Sequence, residues 1–371
     1  MGGSAGCSTV RREPDSRKHF VLEAARLTRR DSNNDDLLIT QLRQRAIDVV
    51  GSVIPPGRPV ALLDFPRHWN VGDSAIWLGE IDCLSACGIP ARDVRYTCAI
   101  SNYEEAALRR AIGDDGVILL HGGGNFGDLW NTHQRFRETV VQAFPANAIV
   151  MLPQSMHYAD PANLTRTTRV FNAHRALTIL VRDEETLHIA QREFRASVHL
   201  CPDLAFCLGP LPRAGRADRP IVYLARKDKE SRLHDAGNAD DPVVSCDWPS
   251  VNASPAWRLG DAVTSFGSHH SRFRRAVPAE WRQAARRRIY DSMTRNRVRI
   301  GCELLAHGRA VVTDRLHAHI LSVLMGVPNV ILDNSYGKLS HFHAAWTAGS
   351  ALTRTAATPT EAFAIARAMS T

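Results

Sequence analysis

Short, wholly apolar runs alternate with amphipathic stretches along most of this chain. Pro59–Phe65, Gly116–His121, Ala148–Leu152 and Leu177–Arg182 read as strands buried on both faces, with Val94–Ile100 and Val198–Cys201 as further extended segments. Between them, Asp73–Gly88, Tyr103–Ile112, Leu129–Phe144, Ala162–His174 and Glu184–Phe194 carry helical spacing. Ahead of this region, an amphipathic helix opens at Asp35 and Asp36 and repeats its apolar face at Leu38, Leu42, Ile47 and Val50. Residues 1–34 read as an N-terminal extension, with helical character only around Phe20–Arg29.

The same alternation resumes later. Ile221–Ala225, Ala310–Thr313 and Asn329–Leu332 read as strands, Ala279 to about Leu305 as a long arginine-rich helix, and Leu316–Met325 as a shorter one. The segment 211–220, rich in Pro, Gly and charge, reads as a linker. The pattern predicts an α/β protein of two Rossmann-like units, 35–210 and 221–371, facing each other across a cleft. Residues 228–278 fit no regular element and read as an irregular insertion in the second unit. Ligands of open parallel sheets sit outside the carboxyl ends of the strands, so motifs just after strands carry the functional weight.

Composition narrows the function classes. At 371 residues, with 44% hydrophobic and 23% charged residues, the chain is an ordinary globular protein. Its formal net charge of +8 favours anionic partners, and much of the positive charge is arginine, which clamps carboxylates and phosphates with a two-pronged fork. The 8 cysteines are scattered without zinc-knuckle spacing and read as reduced thiols. No metal site is expected; His269-His270 has no third ligand at a suitable spacing. The N-terminus lacks the apolar core of a signal peptide, and no run of about 18 apolar residues occurs. A cytoplasmic protein is expected, with room for peripheral contact at the inner face of the membrane. The arginine helix, with Trp281, Ile289, Met293 and Ile300 on its apolar positions, has no interleaved stacking aromatics and reads as a solvated face rather than a nucleic-acid reader.

Four places carry chemistry. The block His121-Gly122-Gly123-Gly124-Asn125-Phe126-Gly127-Asp128 follows a buried strand and precedes a helix, a setting that lets backbone amides approach an anion. It also fits a dinucleotide pattern at Gly122, Gly124 and Gly127, but the acidic residue expected about 20 positions on is missing, as is a P-loop Lys. A tight turn without a ligand is the plain alternative. In Asn70-Val71-Gly72-Asp73, Asp73 either caps the following helix or accepts a proton from a sugar hydroxyl. In Thr313-Asp314-Arg315-Leu316-His317-Ala318-His319, Arg315 and His317 fall in a first helical turn, where the dipole disfavours cations unless an anion binds. His319 lies about 200° around the helix from His317 and reads as a packing residue. Arg226 and Arg182 each end a strand, where a cleft-facing arginine would stand; a surface ion pair is the alternative for both.

These motifs, with Pro153-Gln154-Ser155, Arg182-Asp183-Glu184 and Pro202-Asp203, occur in an order that resembles the polysaccharide pyruvyl transferase family over about residues 60–346. The resemblance implies a fold like the type B glycosyltransferases. It implies phosphoenolpyruvate as donor, a saccharide acceptor often attached to a carrier lipid, and no separate cofactor. By resemblance, Arg315, Leu316, Arg226 and Arg182 would bind the donor, and His317 and Asp73 would manage protons. Asn70, Gly72, Gly122, Gly123, Gly124, Asn125, Asp128 and Gln154 would form the acceptor edge of the cleft. The rival readings are a nucleotide-sugar glycosyltransferase of the same architecture and a non-catalytic basic binding module.

Overall fold

A computed structural model describes residues 16–213, 215–226, 244–248, 277–333 and 337–370, with the backbone alone for 16–33, 244–246 and 338. Two parallel sheets organise the described residues. The first runs in the order β2 (Val94–Cys98), β1 (Val60–Leu63), β3 (Val117–Leu120), β5 (Ala148–His157), β6 (Leu177–Val181), β7 (Ser197–Leu200), with β4 (Gly123–Gly127) added along β5. The second runs β12 (Thr353–Ala356), β11 (Asn329–Leu332), β10 (Gly308–Thr313), β8 (Arg219–Leu224), β9 (Val244–Cys246).

The apolar runs become strands because both faces of the first sheet are covered. Leu62, Val117, Leu119, Val150 and Leu180 pack on one side, and Ala61, Leu63, Ile118, Leu120, Met151 and Ile179 on the other. A residue that alternates faces yet is always buried must be apolar at every position. Helices α2 (Val71–Ala86), α3 (Glu105–Ile112), α4 (Asn131–Ala143), α5 (Pro161–Asn172) and α6 (Glu184–Glu193) link the strands.

Several expectations need correction. The first helix, α1, is continuous over Ser16–Val53, so it opens well before Asp35. Gly123–Gly127 is not a loop feeding a helix. It is the short strand β4, and the next helix begins only at Asn131. Gly127 has φ 120° and a Cβ there would lie 1.8 Å from the His157 carbonyl oxygen, so β4 approaches β5 closely enough to exclude any side chain. The first amides of a helix are therefore not what the glycine block offers.

The long helix Ala279–Ala306 departs from the solvated reading too. Arg286 donates to the Thr97 carbonyl at 3.0 Å, Arg287 to that of Val94 at 2.9 Å, and Arg297 to that of Pro66 at 2.8 Å. Arg286 and Arg297 are buried, and their charge fastens this helix to the first sheet. Trp281, expected on the apolar face, is 73% exposed. Cys83, Cys87, Cys98, Cys201, Cys207 and Cys302 are free thiols. No described helix is long and apolar enough to cross a membrane. His269-His270 and all of the 228–278 insertion except 244–248, 277 and 278 lie outside the described residues.

Candidate active site

Residues that follow strands of both sheets line one cavity of about 460 Å³. The first sheet supplies His68, Trp69, Asn70 and Asp73 after β1, Gly124 and Asn125 on β4, and Arg182 after β6. The second supplies Arg226 after β8, Asp247 and Trp248 after β9, and Arg315, Leu316 and His317 after β10. Trp130 and His133 complete it from the start of α4.

Three histidines on this cavity are each backed by an aspartate. His317 Nε2 lies 3.3 Å from Asp203 Oδ2, and that carboxylate also holds Arg182 Nη1 at 2.5 Å. His68 Nε2 lies 2.6 Å from Asp73 Oδ2. His133 Nδ1 lies 2.8 Å from Asp64 Oδ2. Such a partner fixes the orientation of the ring. Asp64 pays backbone strain for its position: it has φ 72°, a region worth roughly 1–3 kcal/mol to a non-glycine residue.

Burial by itself would raise the Asp203 pKa. The His317 ring and the Arg182 guanidinium outweigh it and hold the carboxyl well below the usual carboxylate range. Burial acts the same way on Asp73, and there His68, His121 and His317 outweigh it, again holding the group well below that range. The reciprocal effect appears on His68, where burial is overcome by the hydrogen bond and charge of Asp73 and the pKa is raised.

Arg315 precedes the helix Leu316–Leu324 as its cap, so only His317 of the two lies in the first turn. The guanidinium is buried and grips Asp247 as a fork, Nε 2.5 Å from Oδ1 and Nη2 2.6 Å from Oδ2. Asp314 does not pair with it in this way; its Oδ1 accepts the Arg226 amide at 2.8 Å and ties the ends of β8 and β10 together. Arg182 lines the cavity, yet its Nε donates to Ser155 Oγ at 2.9 Å and its Nη1 to Asp203, so it acts chiefly by fixing Asp203.

The expected acceptor residues divide. Asn70, Gly124 and Asn125 line the cavity, and buried Arg137 holds Asn125 through its carbonyl at 2.9 Å and its side chain. Asn70, not Asp73, caps α2, accepting the Gly72 amide at 2.9 Å. Gly72 is a spacer against His317. Gly122, Gly123, Asp128 and Gln154 do not line the cavity. The Gly122 amide donates to Glu80 Oε1 at 2.8 Å, Gln154 Nε2 to the His121 carbonyl at 2.5 Å, and Gly123 has φ 124° beneath Ile76. Asp128 accepts the amides of Ala159 and Asp160 and so anchors the loop before α5. His68, Trp69, Trp130, His133, Asp247 and Trp248, which also line the cavity, are not among the residues expected from the sequence. For His133 the available signal was Asp64, a polar residue directly ending a buried strand.

The family assignment is decided by residues 70–336, which match the profile described as polysaccharide pyruvyl transferase. The chain belongs to the polysaccharide pyruvyl transferase family. It is similar to Pyruvyl transferase 1 of Schizosaccharomyces pombe, 32% identical over 306 residues, covering 80% of this chain and 71% of that protein. It is also similar to EpsO of Bacillus subtilis, provisionally named for the same transfer, at 29% over 325 residues, covering 87% and 95%. A solved structure of a functionally uncharacterised Klebsiella pneumoniae protein shares the fold with TM-score 0.56 at 15% identity, over 85% of this chain and 98% of that one. Pyruvyl transferase family membership makes this chain a transferase.

Proposed function

We propose that the protein moves the enolpyruvyl unit of phosphoenolpyruvate onto two hydroxyls of one sugar, leaving a cyclic pyruvate ketal. The observation that carries this reading is the set of three aspartate-backed histidines around one arginine-lined cavity. The family membership supports the transfer itself.

Ketal formation is demanding in protons. The donor's methylene carbon gains one, two sugar hydroxyls each lose one, and the departing phosphate takes one, so the reaction is proton-neutral overall. Two C–O bonds form and the C–O bond to phosphate breaks. His317 is assigned the proton delivered to the methylene carbon, its ring held in place by Asp203. On the other side of the cavity, His68 and His133 are assigned the two hydroxyl protons. Asp73 as direct proton acceptor gives way to His68. A carboxylate held well below its usual range is a weak base, whereas an imidazole raised by that carboxylate is a better one. Asp73 then orients His68 and supports the imidazolium that forms.

Arg315 and Arg226 are assigned the donor's carboxylate and phosphate. Arg315 already holds a carboxylate fork-to-fork with Asp247, the geometry a pyruvyl carboxylate would use. In this reading the units 35–210 and 221–371 are the two Rossmann-like halves of a type B glycosyltransferase-like fold joined at 211–220. The acceptor is a saccharide carried on a lipid diphosphate and met at the cytoplasmic face of the membrane. No cofactor beyond the donor is invoked.

The test is to incubate the protein with phosphoenolpyruvate and a panel of saccharides, following phosphate release and ketal formation. Thermal stabilisation by phosphoenolpyruvate, and none by nucleotide sugars, is expected. Stabilisation by a nucleotide sugar together with sugar transfer would replace this reading with glycosyl transfer.

A further inference from the structure

The buried ring of His121 forms an ion pair with Glu80 that the proposed proton transfers do not use. His121 is 2% exposed and Glu80 is fully buried, and Nδ1 of the ring lies 2.9 Å from both carboxylate oxygens. Its Nε2 has no hydrogen-bond partner among the described residues, so the Glu80 carboxylate is the partner that holds this ring. Asp73 and Glu80 stand seven positions apart on α2 and therefore share one face of that helix. A Cβ at Gly122 would lie 3.4 Å from Glu80 Oε1, and one at Gly123 would lie 3.6 Å from Asp73 Oδ1. The segment 121–123 thus lies across both carboxylates of α2, and it passes directly into Gly124 and Asn125 of the first cavity.

Burial by itself would keep the His121 ring neutral. The charge and hydrogen bond of Glu80, with the charges of Asp73 on α2 and Asp64 after β1, outweigh it and raise the pKa of the ring. His68 faces Asp73 from α2, Arg297 from the long helix, His121 after β3, and the ring of His133 from α4 at 6.2 Å. Burial opposes a charge on His68, Asp73 favours it, and His121 and Arg297 oppose it. Asp73 in turn faces His68, His121 and His317.

We propose that Glu80 and His121 are positioning residues of the cavity: the pair holds a positive charge beside Asp73 and so limits the basicity that Asp73 confers on His68. What this does for the reaction rests on the pyruvyl-transfer reading. A base must be neutral to take a hydroxyl proton, and with Asp73 unopposed His68 would stay protonated to higher pH. The coupling between the two rings can be measured without turnover.

The experiment follows isotope-labelled histidine rings by NMR in the full chain, with His68 and His121 assigned from His68→Gln and His121→Gln. In the wild type, His121 is expected to carry protons on both ring nitrogens near neutral pH; a neutral ring there overturns the proposal. Glu80→Gln keeps an acceptor for the Gly122 amide but removes the charge, so burial returns His121 to its neutral form. The titration midpoint of His68 should then rise by about half a pH unit or more, the scale of one charge lost near a titrating group. The acid limb of the pH–rate profile should rise with it. His121→Gln should shift His68 in the same direction. A His68 midpoint that stays or falls in both variants overturns the proposal, as does a rate lowered equally at every pH with the acid limb in place. Failure of the pyruvyl-transfer reading looks different: His68 shifts as expected, but phosphoenolpyruvate is not turned over.

Discussion

The His317 ring rests against the bare Cα of Gly72, and a methyl group there would lie 2.4 Å from Nδ1. Nothing in the Gly72 backbone conformation demands glycine, since its φ is not positive; the demand comes from the imidazole alone. Gly72→Ala should therefore push His317 from its place beside Asp203 without breaking α2, where alanine is the better helix former. Turnover is expected to fall at least about tenfold while the melting temperature stays within a few degrees. Wild-type turnover in that variant would show that the ring's position is not critical.

One helix carries an internal control. His319 is fully buried and bonded to Asn329 Oδ1 at 2.8 Å and Thr347 Oγ1 at 2.9 Å; burial lowers its pKa to about 4, so it is a neutral packing residue. His319→Ala should lower stability by roughly 1–3 kcal/mol by orphaning those partners, with turnover of the folded protein largely kept. His317→Ala should do the reverse, cutting turnover about a hundredfold or more with little loss of stability. Measuring both quantities for both variants decides the assignment; an active His317→Ala overturns it.

In the proposed mechanism the acid side of the pH–rate profile is expected to report on His68. A base must be neutral to accept a proton, and Asp73 raises the His68 pKa, so the acid limb sits higher in pH than it would without Asp73. Asp73→Asn removes the raising partner. The maximal rate should drop, and the acid limb should move to lower pH. A limb that stays in place, or moves upward, argues against His68 as the titrating base.

Removing a guanidinium from the donor side should weaken donor binding more than acceptor binding. For Arg315→Ala and Arg226→Ala, apparent donor affinity is expected to fall about ten- to a hundredfold, the scale of a charge-assisted hydrogen bond. Arg315→Lys keeps the charge but loses the fork seen on Asp247, so it should recover only part of the loss. Steady-state titrations of phosphoenolpyruvate at saturating acceptor provide the measurement, and unchanged donor affinity in both alanine variants would sink the clamp.

What could be read from the sequence follows from how local its cause is. Strands such as Val117–Leu120 were legible because burial on both faces leaves an uninterrupted apolar run. The strand Gly123–Gly127 was not, because it holds three glycines and no β-branched residue, and only its close approach to β5 keeps it extended. The place of Arg315 and His317 on the cavity was legible because both adjoin one strand end. The long-range pairs were not: His133 meets Asp64 from 69 positions away, and Asp247 meets Arg315 from 68. Pairings of that kind belong to the topology of the sheets, which spacing along the chain does not encode.

The long helix Ala279–Ala306 runs directly into β10 of the second sheet while its side chains are tied to the first. Gln283 receives the Thr97 amide at 3.0 Å, Tyr290 that of Ala99 at 3.2 Å, and Arg286, Arg287 and Arg297 hold carbonyls after or within β1 and β2. At roughly 0.5–1.5 kcal/mol each, these bonds act together as a strut. A large swing of one sheet away from the other would have to break most of them at once. Exchange at the cavity is therefore expected to proceed by small side-chain and loop rearrangements rather than by gross opening of the two sheets.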